Sequence, residues 1–187
     1  MEQQTVYFEK PGAENTDETL RIVKKRAEEL GIKTVLVAST RGDTAVKAVE
    51  ALKGLRVVGV SHSTGNRDPN VNWFTEEHRQ AFESKGGTLL TMTHLFAGLS
   101  RMTRNKYNTF IIGDIMADTL RIFGQGMKVV CEIASMAADA GLARTDEDVI
   151  SVAGTGRGAD TAVVLTPANS QFFFDTKVRE ILCKPRL

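Results

Sequence analysis

The chain predicts a single three-layer α/β/α sandwich on a mostly parallel sheet, with one antiparallel strand late in the sequence. Three observations carry that expectation. Short β-prone runs alternate with longer stretches of helical spacing. Runs such as Thr34-Val35-Leu36-Val37-Ala38 are apolar at consecutive positions, as in strands buried on both faces. Finally, 187 residues suffice for one substantial domain and are short for two. No linker or low-complexity stretch divides them.

The elements are taken in chain order. Thr5-Val6-Tyr7-Phe8 reads as a short strand, stopped by Lys10-Pro11-Gly12. Asn15 and Glu18 have capping-box spacing, and Leu20, Val23, Ala27 and Leu30 mark one helix face that Gly31 closes. The 34–38 strand leads through Ser39-Thr40-Arg41-Gly42-Asp43-Thr44 into a helix with apolar residues at Ala45, Val46, Ala48, Val49 and Leu52. Arg56 to Val60 is a third strand ending in the polar cluster Ser61-His62-Ser63-Thr64-Gly65. A loop over 66–74 comes next, with Trp73-Phe74 as its anchor, and Thr75 caps a helix to about Lys85.

Thr88 to Met92 is the fourth strand, followed by Thr93-His94. Residues 95–107 read as loop with at most one helical turn. From Phe110 to Gly141 the spacing is helical, with a break expected at Gly124-Gln125-Gly126 because two glycines cost roughly 2 kcal/mol of helix propensity. Asp148 to Ala153 is the fifth strand. A glycine-rich turn, Gly154 to Asp160, returns the chain as the β-branched strand Thr161 to Thr166. Residues 172–174 and 178–183 finish it as a small helix or an edge strand.

Composition narrows the partners. Lys+Arg 24 against Asp+Glu 23 gives no bulk electrostatic case for nucleic acid or an anionic membrane. Cys131 and Cys183 lack CxxC spacing and read as buried structural thiols, which fits a reducing cytoplasm. MEQQTVYFEK has no signal-peptide pattern, and no apolar run approaches ~20 residues, so a soluble cytoplasmic protein is expected.

In a parallel sheet, ligands bind outside the carboxyl ends of the strands. The turns expected there are 10–12, 39–44, 61–65, 93–94 and 154–160, all polar or glycine-rich. Strand, glycine-containing turn and helix at 34–52 aim free N–H groups and a positive helix end at one point, where an anion fits. Ser39, Thr40 and Thr44 add hydroxyls and Arg41 adds charge. The plainer alternative is a helix start capped by Asp43 or Thr40 with no ligand. Gly-Lys-Ser/Thr is absent, so this is not a Walker A loop.

Gly154-Thr155-Gly156-Arg157-Gly158 precedes a strand rather than a helix, so it is not a dinucleotide fingerprint. It suits a loop that approaches a ligand backbone-first, or a long hairpin turn that needs glycine. His62 and His94 end strands at the same edge and read either as ligand donors or as loop-satisfied histidines. His78 reads as solvated. Asp114 and Asp118 read as helix-capping rather than metal-binding. No zinc spacing, Gly-x-Ser-x-Gly elbow or Ser/His/Asp set is present, and no residue stands out as catalytic.

VLVASTRGDTA at 35–45, RVVGVSH at 56–62, TLLTMT at 88–93 and ISVAGTGRGADTAVVLTP at 150–167 together resemble the pyruvate kinase C-terminal domain. The likeness covers about residues 20 to 167, is sharpest in the two turns, and is greatest to small stand-alone members of that superfamily. Some of those bind flavin mononucleotide. The resemblance implies that the 33–38 and 148–153 strands are parallel neighbours at a topological switch point, so that the two glycine turns flank one crevice. The catalytic barrel of pyruvate kinase is absent, so its activity is not implied. In allosteric pyruvate kinases these loops hold a sugar bisphosphate. The aromatic residue that often precedes the second loop is absent here, which argues against that ligand.

The expected function is therefore binding of a phosphorylated small molecule, FMN first. The phosphate would sit on Ser39 to Thr44 with Arg41 or Arg157 nearby, and His62, Thr64, Met92, Thr93 and His94 would approach the rest. A non-catalytic sensor for a sugar phosphate or nucleotide is the alternative. The C-terminal run REILCKPR is able to pair as an edge strand with a second subunit, giving a homo-oligomer.

Overall fold

The computed structural model describes residues 2–186. Among these residues seven strands form one sheet in the order β1-β7-β6-β5-β2-β3-β4. They are β1 (Val6–Phe8), β2 (Thr34–Ala38), β3 (Arg56–His62), β4 (Thr88–Met92), β5 (Val149–Ala153), β6 (Thr161–Thr166) and β7 (Lys177–Pro185). Only β6 runs against the others, pairing antiparallel with both β5 and β7. The expected mostly parallel sheet with one late reversed strand is thus the fold.

Two helical layers cover it. On one face α1 (Thr16–Leu30), α2 (Asp43–Ala51) and α3 (Glu76–Glu83) pack against Val35, Val37, Ile150, Val152, Ala162 and Val164. On the other, α6 (Gln125–Asp139) packs against Leu36, Val58, Val60, Val149, Val163 and Leu165. The period-2 alternation of strand side chains feeds both cores, which is why these runs read as continuously apolar. α5 (Ile112–Arg121) lies against α6, and α4 (Gly98–Tyr107) against α5.

Several local expectations are corrected. Residues 98–107, read as loop, form the three-turn helix α4. Its only buried residue is Ser100, and its few apolar residues are separated by Arg101, Arg104, Asn105 and Lys106, which hides the helical spacing in the sequence. By contrast, the break expected near Gly124 is present: the helical stretch starting at Phe110 is two helices, parted at residues 122–124, where Gly124 has φ +122°. Ser61 and His62 belong to β3 rather than to the turn after it.

Asn15 does not form a capping box. Its amide donates to the Lys10 and Gly12 carbonyls, while Glu18 takes Arg21. Residues 170–175 make a 3-10 turn, and β7 is an interior strand with both sides paired. Among the described strands β1 takes the place beside it, pairing with Cys183, Lys184 and Pro185, so this part of REILCKPR is covered within the chain rather than left as an edge. The sequence shows the strand at 5–8, but its place beside β7 is set only by the sheet order.

Candidate functional site: a crevice at the switch point

β2 and β5 are parallel neighbours, with Val35, Leu36 and Val37 opposite Ile150, Ser151 and Val152. β2 continues through α2 to β3 on one side, and β5 turns into β6 on the other. The chain therefore departs in opposite directions, and the sheet opens between their carboxyl ends.

The first wall is the 39–44 turn. Ser39, rather than Thr40 or Asp43, closes the helix start: its Oγ accepts from the Gly42 and Ala45 amides at 3.2 and 3.3 Å. Gly42 has φ +106°, and a Cβ there would lie 2.3 Å from the His78 Cβ, so this bend admits glycine alone. The backbone N–H groups of Thr40, Arg41, Asp43 and Thr44 have no protein acceptor among the described residues. They lie in the turn and first helical residues at the positive end of α2.

The second wall is the 154–160 loop. Fully buried Asp160 pins it, accepting from the Gly12 amide at 3.0 Å, the Thr155 amide at 3.0 Å and the Thr161 hydroxyl at 2.8 Å. Thr16 Oγ1 accepts from the Ala159 amide at 3.0 Å. The Gly156 and Gly158 amides have no protein acceptor among the described residues. Arg157 reaches across to Asp43 at 3.1 Å, joining the two walls.

Between them lies a crevice of about 380 Å³. Of the sixteen residues the sequence nominated, eleven line it: Ser39, Thr40, Arg41, Asp43, Thr44, His62, His94, Gly154, Gly156, Arg157 and Gly158. The other five do not. Gly42 is turned against α3, and the Thr155 amide is spent on Asp160. Met92 packs into the α6-side core, Thr93 lies against Gly98, and exposed Thr64 accepts from Asn72.

Sequence reasoning misses Arg67, Gln125, Val129 and Ile133, and reads Trp73 only as an anchor. Phe74 is the buried anchor, whereas Trp73 lies at the crevice with the Arg41 and Arg67 guanidinium carbons 5.2 and 4.4 Å from its ring. Gln125 opens α6, so a second positive helix end meets the same space.

A buried charge network backs the crevice. Glu132, on α6 and wholly buried, accepts from His94 Nδ1 at 3.1 Å, the Phe96 amide at 2.9 Å and the Lys128 ammonium. Burial would raise its pKa, but the His94 hydrogen bond and the Lys128 charge outweigh that and hold it at about 2. The signal was present: a Lys–Glu pair at i, i+4 inside a helix otherwise apolar. The His62 ring meets His94 edge-on at 4.5 Å, and Asn66 donates to its Nδ1 at 2.9 Å. Burial, then His94 and the arginines nearby, push His62 down to about 4, so it is neutral at pH 7.

Asp114 accepts from Arg104 and from the Ile111 amide, and no metal-binding cluster occurs among the described residues. Burial pushes the Cys131 and Cys183 thiols up to about 11 and 12. Among the described residues no helix is long and apolar enough to cross a membrane.

Strand order and crevice together define an open α/β domain with a ligand-sized opening at its switch point. Residues 17–165 match the family described as the pyruvate kinase alpha/beta domain, and the chain belongs to that family. Among solved structures it is similar to Cryptosporidium parvum pyruvate kinase in complex with ADP. There the identity is 11%, the match covers 84% of this chain and 24% of that one, and the TM-score is 0.40. It is also similar to O-ureido-L-serine synthase, at 18% identity over 73% of this chain and 50% of that one, with a TM-score of 0.31. A mutant of that synthase with O-ureido-L-serine bound gives 18%, 73%, 49% and 0.32. The chain thus spans from about a quarter to half the length of these proteins.

Proposed function

We propose that the crevice binds a phosphorylated small molecule carrying a planar ring, with FMN as the specific ligand. One observation carries this reading. Uncommitted amides and the guanidinium groups of Arg41 and Arg157 gather at one part of a crevice whose remaining wall combines apolar Val60, Val129 and Ile133 with His62, His94 and Gln125. Charge-assisted hydrogen bonds from amides and guanidinium hold phosphate. The apolar wall, with Trp73 at hand, suits a flat heterocycle. The volume lies within the usual range of about 300–1,000 Å³ for small-molecule sites. When bound, the isoalloxazine ring supplies any redox chemistry, and the residues here bind and orient it.

A sensor for a nucleotide or sugar phosphate, without chemistry, is the second reading. It is favoured by the state of the acid–base groups: His62 is neutral and bonded to Asn66, and Glu132 is closed off by three donors.

The test is an absorption spectrum of freshly purified protein over about 350–500 nm, followed by thermal shifts. FMN at about 100 times Kd raises Tm by about 5–10 °C, and Thr44→Val and Gly156→Val reduce that shift. A colourless protein that responds to another phosphorylated metabolite but not to FMN selects the second reading. If both variants leave every response intact, the crevice is not the site.

A further inference from the structure

The block formed by α4, α5, the turn after α5 and the 170–175 turn departs from the rest of the surface. Of the fourteen large hydrophobic side chains exposed among the described residues, ten fall within residues 99–123 and 172–174. Leu99, Phe110, Ile112, Ile115, Ile122 and Phe174 are each between 59 and 87% exposed. These segments adjoin. Phe96 stacks edge-on against Phe173 at 5.2 Å, and its carbonyl lies 3.2 Å from where a Cβ on Gly113 would stand. Arg104 and Asp114 fasten α4 to α5 at 2.6 Å.

We infer that this face is the interface with a second copy of the chain. At about 150–250 Å² for a large side chain, ten such groups present on the order of 1,000 Å² of apolar surface. A stable interface needs about 800 Å² per partner, and monomers rarely expose patches beyond a few hundred Å². Arg104 pairs with Asp114 and Arg121 with Asp118 inside the block, and Arg101 is held by the carbonyl groups of Asn66 in the neighbouring loop. Among the described residues Arg101 and Lys106 are then the cations of α4 without a carboxylate partner, fewer than the cluster of about four to eight that an anionic lipid surface selects. Association through a two-fold axis would cover α4 and α5 from both chains at once.

The surface differs from the C-terminal strand that the sequence suggested for pairing, and it adjoins the crevice. α4 starts four residues after His94, and its Arg101 holds Asn66, the partner of His62.

Light scattering on the full chain tests this. At tens of micromolar, the wild type gives twice the 20.5 kDa chain mass, or a larger closed multiple. The double variant Phe110→Ser, Ile115→Glu gives the single mass with unchanged far-UV circular dichroism. Because both side chains are exposed, folding is not at stake, and Tyr7→Ser, at an exposed position on β1, leaves the assembly intact. A wild type that is monomeric at this concentration overturns the proposal. So does a double variant that stays assembled. A monomeric wild type that sediments with phosphatidylserine–phosphatidylcholine vesicles assigns the face to lipid instead, and also overturns it.

Discussion

The two loops that flank the crevice are nearly alike in sequence and are fastened in opposite ways. Arg41-Gly42-Asp43-Thr44-Ala45 runs into a helix, and Arg157-Gly158-Ala159-Asp160-Thr161-Ala162 runs into a strand. In the first, the aspartate faces outward and reaches only Arg157 of the other loop, while the Ser39 hydroxyl holds the bend. In the second, the aspartate is the buried pin and the arginine is the part left outside. The element into which each loop runs decides which of its polar groups is structural. A helix consumes its own later amides, so one hydroxyl at its start suffices. A hairpin returning into a sheet leaves several donors facing inward, and a carboxylate can gather them.

The strongest test of that contrast is Asp160→Ala. It strands one buried and two part-buried donors and lowers stability by about 3–5 kcal/mol in urea denaturation. Acid acts next, through the network behind the loops. Both His62 and Glu132 are more acidic folded than unfolded, so the folded state binds fewer protons and loses stability as pH falls. For His62 the window runs from about 6.5 down through about 4, and for Glu132 from about 4.5 down through about 2. The Glu132 step is on the order of 3 kcal/mol. Glu132→Gln is weaker at pH 7 but lacks the lower window, as urea midpoints against pH will show.

Ser39→Ala removes the acceptor of two amides and costs about 1–2 kcal/mol, well below Asp160→Ala. Arg157→Ala leaves stability nearly unchanged and weakens phosphate-ligand affinity about tenfold by titration calorimetry. Asp43→Ala, which loses only an exposed ion pair, moves stability by less than about 0.5 kcal/mol. Equal costs for Asp43→Ala and Asp160→Ala would erase the distinction between the loops.

Much of this is legible in the sequence, for physical reasons that differ by region. β2, β5 and β6 read correctly because burial on both faces forces largely apolar runs bounded by polar turns. Gly31 and Thr75 read correctly because a left-handed cap and a hydroxyl cap have few substitutes. The two glycine turns come together because the parallel order of β2 and β5 leaves their carboxyl ends side by side. α4 is invisible because its apolar residues face outward, so no buried stripe marks the helix. Trp73, Arg67 and Gln125 escape sequence reasoning because they arrive from a loop and a helix remote in the chain. Only tertiary packing places them at the crevice. Ser39 reads as a ligand group, yet its oxygen is committed to the chain itself.

The chain holds a single tryptophan, and it is Trp73. Its indole lies at the opening, close to the guanidinium groups of Arg41 and Arg67, which are natural partners for an incoming anion. Emission from that one fluorophore should therefore register occupancy with no label attached. A flavin stacked nearby would quench it by energy transfer, whereas a colourless phosphate would only shift its polarity.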